Sequence, residues 1–140
     1  MSPWARVTAP ELPAIPAFAH AAVAGDYVFV SGMLGLEDDF SRPVDGGVGA
    51  ETAQALRHTA RILEACGASL ADVVKVSVHM TDLSEWDAMN AAYLGAFGER
   101  TPARIAVGCS ALLFGARVEL ECVAYLNAPC RPGTPASARS

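Results

Sequence analysis

Two segments with helical spacing and the strand-like segment between them constrain the fold of this chain most. In residues 51–66 the apolar positions recur at intervals of three and four, which predicts an amphipathic helix, and Gly67 is a natural stop for it. In residues 73–80, VVKVSVHM, apolar and polar side chains alternate as they do in a half-buried strand. A second helical stripe follows and ends at Gly98. Two helices around a strand predict a sheet with helices packed against it.

The second helix is predicted to begin with a capping pattern. Ser84 and Asp87 form the S-x-x-D signature that often opens a helix. The stripe that this helix would bury consists of Trp86, Met89, Tyr93 and Phe97. A single capped turn is expected in residues 69–72, SLAD.

Further strands are indicated by runs of β-branched and aromatic residues. They are expected at residues 26–32, 103–107 and 117–126, with a short one near Arg6 to Thr8 in a Pro- and Ala-rich lead-in. Residues 36–49 are rich in Asp, Gly and Pro and are predicted to form a loop. The predicted fold class is therefore α+β, a mixed β-sheet with two main helices packed on one face.

The last predicted strand has two different faces. One face is apolar and is expected to point toward the helices; it consists of Val118, Leu120, Cys122, Ala124 and Leu126. The other face consists of Glu119, Glu121, Val123 and Tyr125. This second face is too apolar to be simply hydrated and too charged to be simple core. An interface between subunits that contains a polar site fits the mixture better.

The composition also favours an oligomer. The chain has 140 residues, the length of one domain, and 52% of them are hydrophobic. Its mean hydropathy is +0.29, yet no segment has the continuous apolar length of a membrane span. Burial of part of the surface against other copies of the chain would account for this. Residues 1–127 are expected to form the domain, and residues 128–140 a flexible tail.

Charge and cysteine usage exclude several classes of function. The net charge is −5 and no basic stripe is present, which argues against a nucleic-acid partner. The first residues lack the pattern of a secretory signal, so a cytoplasmic location without membrane association is expected. The four cysteines are far apart and form no C-x-x-C pair, so a zinc site or a redox site is not favoured, and reduced thiols are expected.

Arg104 most needs an explanation among the residues of the predicted strands. Its guanidinium stays charged near neutral pH, so an inward-facing Arg104 requires an anionic or hydrogen-bonding partner. Glu119, in the last strand, could hold or activate a water. Two plainer alternatives stay open. Arg104 could reach solvent from an edge strand, and Glu119 could be a surface carboxylate or pair with Lys75 or Arg117.

Segments spread over nearly the whole chain resemble the RidA (YjgF) family of imine and enamine deaminases. They are VFVSGMLG (28–35), the helix and strand of 51–83, NAAYLGAF (90–97), TPARIAV (101–107) and VELECVAYL (118–126). The resemblance implies a chorismate-mutase-like α+β subunit that forms a homotrimer with active sites in the clefts between subunits. It also implies that no metal or organic cofactor is needed.

The resemblance assigns roles to residues of this sequence. Arg104 matches the family arginine that grips the substrate carboxylate, and Glu119 matches the glutamate that positions the hydrolytic water. Asn90 matches a pocket asparagine at the subunit interface, and the pair Ser31 and Gly32 matches the Ser-Gly of the pocket wall.

Three positions depart from the family pattern. Phe18 replaces a tyrosine and lacks its hydroxyl, Ala106 replaces a cysteine, and Met33 stands where a glutamine is common. Phe18 and Ala106 are still expected at the substrate site, Ala106 through its backbone. Each replacement removes a hydrogen-bonding side chain, whereas Arg104 and Glu119 remain.

The resemblance implies hydrolytic deamination of reactive 2-imino or enamine acids to 2-keto acids and ammonia, as in a 2-iminobutanoate/2-iminopropanoate deaminase. Three other functions stay open at this point. The more apolar pocket could take a larger substrate in a specialised pathway, or the chain could be a non-catalytic module that binds a small anion. Ribonuclease activity, sometimes attributed to relatives, is disfavoured by the acidic net charge.

Overall fold

The structure, a computed structural model, describes residues 3–126, and these form one six-stranded sheet with two long helices. The strands and helices are β1 (Trp4–Val7), β2 (Ala21–Ala24), β3 (Tyr27–Leu34), α1 (Gly47–Ala65), β4 (Val73–Met80), α2 (Trp86–Phe97), β5 (Ala103–Gly108) and β6 (Val118–Tyr125). Short 3-10 turns occur at Leu70–Asp72, Leu83–Glu85 and Leu113–Gly115. The predicted tail, residues 128–140, lies outside the described residues.

The sheet is mixed, as predicted. Its strand order is β1-β2-β3-β6-β4-β5, and β4 and β5 run parallel while every other neighbouring pair runs antiparallel. The parallel pair needs a crossover connection, which α2 supplies because it lies between β4 and β5 in the chain. The last strand, β6, therefore lies near the middle of the sheet.

One face of the sheet, here called the helix face, forms a common core with both helices. From the helices, the core takes Val48, Ala55, Leu56, Ile62, Leu63, Met89 and Tyr93. From the three central strands it takes Val28, Val30, Val76, Val78, Met80, Val118, Leu120, Cys122 and Ala124. The expected orientation of the last strand is confirmed, because its apolar set faces the helices.

The first helix is longer than its sequence pattern predicts. It begins at Gly47, inside the segment expected to be a loop, and Val48 is buried in the core. Its predicted end is confirmed: Gly67 adopts a left-handed backbone with φ 79°, and the Ala68 N–H donates to the carbonyl of Leu63 at 2.8 Å.

The predicted cap of the second helix is wrong. The capping side chain is that of Asp82 and not that of Ser84. The Asp82 carboxylate accepts one hydrogen bond from the backbone N–H of Ser84 at 2.9 Å and another from the Ser84 hydroxyl at 2.6 Å. This bond starts a 3-10 turn, and α2 itself begins only at Trp86. The other capped turn is confirmed, because Ser69 and Asp72 form a reciprocal capping box.

Two strand predictions also need correction. Residues 21–24 form β2 although their sequence, AAVA, has little strand character, because alanine is depleted in strands. A tight turn with Gly25 at φ 58° pairs this segment with β3. Val74 was expected inside with the other valines of β4, but it is 44% exposed because it occupies a bulge opposite β6.

A second bulge interrupts β3 at Ser31 and Gly32. Val30 pairs with Cys122 and Met33 pairs with Leu120, so two residues of β3 lie opposite the single residue Glu121 of β6. Such bulges redirect side chains and are frequent next to functional sites. No helix within residues 3–126 has both the length and the apolar content needed to cross a membrane.

Candidate functional site

Arg104 lies on the helix face, where α2 holds its guanidinium. It pairs in register with Val76 of β4, a core residue, so its side chain points toward α2. Nη1 donates to Oδ1 of Asn90 at 2.7 Å. The guanidinium carbon lies 4.7 Å from the ring centroid of Tyr93 and 5.0 Å from that of Trp86, both within the range of cation–π attraction. Neutral groups alone thus orient this cation.

The charge of Arg104 is left available to a ligand. Within residues 3–126, its acceptors are Oδ1 of Asn90 and the sulfur of Met89, both through Nη1, and no carboxylate of these residues lies within ion-pair distance. A cavity of about 290 Å³, here called the Arg104 pocket, opens beside it. The pocket is lined by Asn90, Tyr93, Leu94, Thr101, Pro102 and Arg104. A partly buried guanidinium in such a cavity suits a small carboxylate.

Two aromatic neighbours of Arg104 were missed as site residues. Trp86 and Tyr93 were predicted as core, which is confirmed for Tyr93 and wrong for Trp86, which is 41% exposed. Both rings lie against the Arg104 guanidinium, and Tyr93 also lines the Arg104 pocket. Their spacing from Asn90, four residues before it and three after, would have indicated one helix face. Burial raises the pKa of Tyr93 to about 12, so its ring is neutral at pH 7.

Glu119 lies on the opposite face of the sheet, here called the outer face. Its register partners are Leu34 of β3 and His79 of β4. The carboxyl group lies against the bulge: a Cβ added to Gly32 would lie 3.1 Å from both Cδ and Oε2 of Glu119. The bulged glycine thus permits a close approach that a side chain would obstruct.

Ser31 fastens the segment that carries Phe18. Its hydroxyl donates to the carbonyl of Ala19 at 2.6 Å, and its backbone N–H donates to the carbonyl of His20 at 2.9 Å. His20 in turn anchors the lead-in, because Nδ1 accepts the N–H of Ala9 and Nε2 donates to the carbonyl of Pro13. Ser31 is thus a structural link, and Phe18 is held beside Glu119 with its ring 43% exposed.

A cavity of about 550 Å³, here called the Glu119 pocket, is bounded by these groups. Its apolar lining comprises Ile15, Phe18, Met33, Leu34, Leu36, Phe40, Leu113 and Phe114, and its other lining residues are Ser31, Gly32, Glu119 and Glu121. Phe40 and Phe114 both have left-handed backbones, with φ of 60° and 61°. That conformation is strained for a bulky residue and is found most often at functional sites.

The predicted site residues therefore divide into two sets. Asn90 and Ala106 accompany Arg104 on the helix face, where Ala106 packs against the core. Phe18, Ser31 and Gly32 accompany Glu119 in its pocket. Arg104 and Glu119 themselves do not meet within one chain. Each pocket therefore contains only one of the two charged groups that the sequence singled out.

Other catalytic chemistries find little support in the described part of the chain. No group of three or more His, Cys, Asp or Glu residues between positions 3 and 126 could hold a metal ion. Burial raises the pKa of Cys66, and it raises that of Cys122 to about 12, so neither thiol ionises near neutral pH.

Two comparisons of sequence identify the family of the chain. Residues 8–126 match the family described as endoribonuclease L-PSP. The chain is 37% identical to the RutC family protein of Pyrococcus horikoshii over 108 residues, which cover 77% of this chain and 86% of the relative. It is 35% identical to the 2-iminobutanoate/2-iminopropanoate deaminase of Rattus norvegicus over 111 residues, which cover 79% and 81% of the two chains.

The fold agrees as well. The crystal structure of RidA from an Antarctic Psychrobacter species superposes with a TM-score of 0.78 at 34% identity and covers 86% of this chain and 97% of that one. The resemblance stated from the sequence is thereby confirmed. The chain belongs to the endoribonuclease L-PSP family, which includes the RidA and YjgF proteins.

Proposed function

We propose that this protein hydrolyses 2-imino acids and their enamine tautomers to 2-keto acids and ammonia. The observation that carries the proposal is Arg104, a partly buried cation oriented by Asn90 and without a carboxylate partner in residues 3–126. Relatives from mammals named 2-iminobutanoate/2-iminopropanoate deaminase, 34–36% identical to this chain, support the reaction class.

The proposed reaction needs only binding, a water and proton transfer. Arg104 binds the substrate carboxylate through paired N–H donors. Glu119 holds a water and takes one of its protons as the oxygen attacks the C=N carbon. The carboxyl group then returns that proton to the nitrogen, which gives a carbinolamine. In a second proton transfer Glu119 passes the hydroxyl proton of the carbinolamine to its amino group, the C=O bond forms, the C–N bond breaks, and ammonia leaves. One imine and one water thus become one keto acid and one ammonia, with no covalent intermediate on the enzyme.

The complete site requires a second copy of the chain. Arg104 and Glu119 lie on opposite faces of the sheet, so we propose a homotrimer in which each site combines the Arg104 pocket of one subunit with the Glu119 pocket of the next. The outer face supports subunit contact, because it presents large apolar side chains to solvent in the single chain. They include Trp4, Tyr27, Phe29, Ile105 and Val107. Light scattering should give three times the 14.5 kDa chain mass.

To test the reaction, a serine dehydratase generates 2-iminopropanoate in the assay, and the release of ammonia and pyruvate is measured. The protein should accelerate the release of ammonia and pyruvate. Arg104→Ala should abolish this acceleration, and Glu119→Gln should reduce it about 100-fold or more. Glu64→Gln, an exposed change on α1 outside both pockets, is the matched control for Glu119→Gln. Pyruvate binding without acceleration would favour an anion-binding module, and a wild-type rate equal to the spontaneous rate would reject the deaminase.

A further inference from the structure

We infer that the preferred substrate is a 2-imino acid with a large apolar side chain, branched or aromatic, and that the Glu119 pocket receives that side chain. This inference rests on the proposed function, because it assumes that Glu119 directs water onto the C=N carbon. It goes beyond the reaction class, because the names of the mammalian relatives specify side chains of only one or two carbons.

The composition of the pocket wall is the first argument. Eight of its lining side chains are apolar, three of them phenylalanines, and Glu119 lies at the bulge beside them. A binding cavity with apolar walls and a few polar groups selects an apolar ligand group with one reactive end. At about 550 Å³ the cavity exceeds what a single methyl group can fill. A small imine would leave its apolar walls in contact with water, and a larger side chain would displace that water.

The strained turn at Phe114 is the second argument. This residue has a left-handed backbone, with φ 61° and ψ 16°, within the turn Leu113–Gly115. Despite that strain, its ring is 59% exposed and Leu113 is 74% exposed, so the turn gains little burial for either side chain in the single chain. In the proposed trimer this turn lies where the two pockets meet, so these two exposed side chains are covered there by the neighbouring subunit and by the side chain of a bound substrate.

Phe18 completes the enclosure on the other side. The hydrogen bond from Ser31 to the carbonyl of Ala19 holds the segment that carries Phe18. Phe18 and Phe114 both line the pocket with rings that are partly exposed. A substrate whose carboxylate is held by the neighbouring Arg104, and whose C=N carbon faces Glu119, can extend its side chain between these two rings. Aromatic rings favour branched and aromatic groups at such contacts.

One oxidase can supply all the imines that the test requires. D-amino-acid oxidase with O₂ converts D-alanine, D-leucine and D-phenylalanine to their 2-imino acids and H₂O₂, which catalase removes. Semicarbazide traps the free imine, and the protein diverts it to the keto acid. We expect kcat/KM for the leucine and phenylalanine imines to exceed that for 2-iminopropanoate by about tenfold or more. Equal values, or a preference for 2-iminopropanoate, would overturn the inference.

Variants of Phe114 make the test specific to the pocket. Asparagine tolerates the left-handed backbone, so Phe114→Asn removes the ring without breaking the turn. It should lower kcat/KM for the two large imines about tenfold and lower that for 2-iminopropanoate less, so that the preference for the large imines falls. Phe114→Leu is the matched control, because it keeps an apolar side chain and should retain most of the activity on large imines. An equal loss of activity on all imines in Phe114→Asn would contradict the assignment.

The two levels of proposal fail in different ways. Acceleration of 2-iminopropanoate alone would overturn the substrate inference and leave the deaminase standing. Acceleration of none of the imines would overturn both.

Discussion

Arg104 and Glu119 lie on opposite faces of one sheet. Across the sheet, Arg104 is level with Cys122 of β6, which is three residues after Glu119. Arg104 is aligned with Val76, which pairs with Cys122 on the helix face, whereas Glu119 pairs with His79 on the outer face. Because successive side chains of a strand alternate between faces, no side-chain rotation brings the two groups together in one subunit. A reaction that needs both groups must therefore be shared between copies.

If each site is shared between two subunits, two inactive variants should recover activity when they assemble into mixed trimers. Coexpressed Arg104→Ala and Glu119→Gln subunits should form mixed trimers in which about one quarter of the sites carry both native residues. Deaminase activity of the purified mixture should therefore approach roughly a quarter of the wild-type value. Arg104→Ala coexpressed with the double variant is the control and should stay inactive. If the first mixture also stays inactive, Arg104 and Glu119 do not form a site across subunits.

Asn90 should control the charge that Arg104 offers to substrate. Asn90→Asp places a carboxylate within hydrogen-bond distance of Nη1, because Oδ1 already lies 2.7 Å from it. The resulting ion pair competes with the substrate carboxylate, so KM should rise about tenfold or more while kcat falls less. Asn90→Ala removes the orienting acceptor without adding charge and should have the smaller effect on KM. Steady-state kinetics at low salt measures both constants, and an unchanged KM in Asn90→Asp would contradict this role.

Gly32 should affect activity more than stability. A methyl group there would lie 3.1 Å from Cδ and Oε2 of Glu119, so the carboxyl group must shift by a few tenths of an ångström. Gly32→Ala should lower kcat about tenfold or more, because acid–base groups act only at hydrogen-bond distance from their target.

Gly95→Ala is the matched control for Gly32→Ala. Gly95 lies in α2, and a Cβ there would meet nothing within 4 Å. This change should keep full activity and raise the free energy of unfolding by about 0.5–1 kcal/mol. Full activity in Gly32→Ala would show that the position of Glu119 against the bulge is not critical.

Because of Tyr93, the free energy of unfolding should depend on pH in the alkaline range. Burial raises the pKa of Tyr93 in the folded protein to about 12, above the ordinary value of 10.0. The stability that comes from keeping Tyr93 neutral is complete below pH 10 and is lost as the pH rises from about 10 to about 12. The loss should amount to roughly 3 kcal/mol at most.

Urea unfolding of wild type and Tyr93→Phe across this pH range isolates the contribution of the hydroxyl. Its oxygen has no hydrogen-bond partner in the described structure, so Tyr93→Phe should change the free energy of unfolding at pH 7 by no more than about 1 kcal/mol. Cys122 also has a pKa raised to about 12 and adds to the raised pKa of Tyr93, so the difference between the two proteins reports the Tyr93 hydroxyl together with its repulsion from Cys122. Parallel pH profiles for the two proteins would contradict the assignment.

Local patterns predicted most of the secondary structure correctly. The alternation of 75–80 and the end of the first helix at Gly67 depend on neighbours within a few residues, and both agree with the structure. The errors occurred where contacts between segments far apart in the chain determine the local structure. The segment 21–24 has weak strand character and becomes β2 through pairing with β3, and Val74 leaves the core because β6 imposes a bulge.

By itself, the sequence determined that helices cover one face of a mixed sheet and that an arginine and a glutamate on neighbouring segments need partners. Periodicity and side-chain chemistry are properties of the local chain, so they can be read without coordinates. Only the tertiary structure decided which face each group takes, because strand register depends on pairing between segments far apart in the chain. It also decided that the ring of Trp86 lies over Arg104 instead of filling the core, and that Tyr93 contacts Arg104 from within the core.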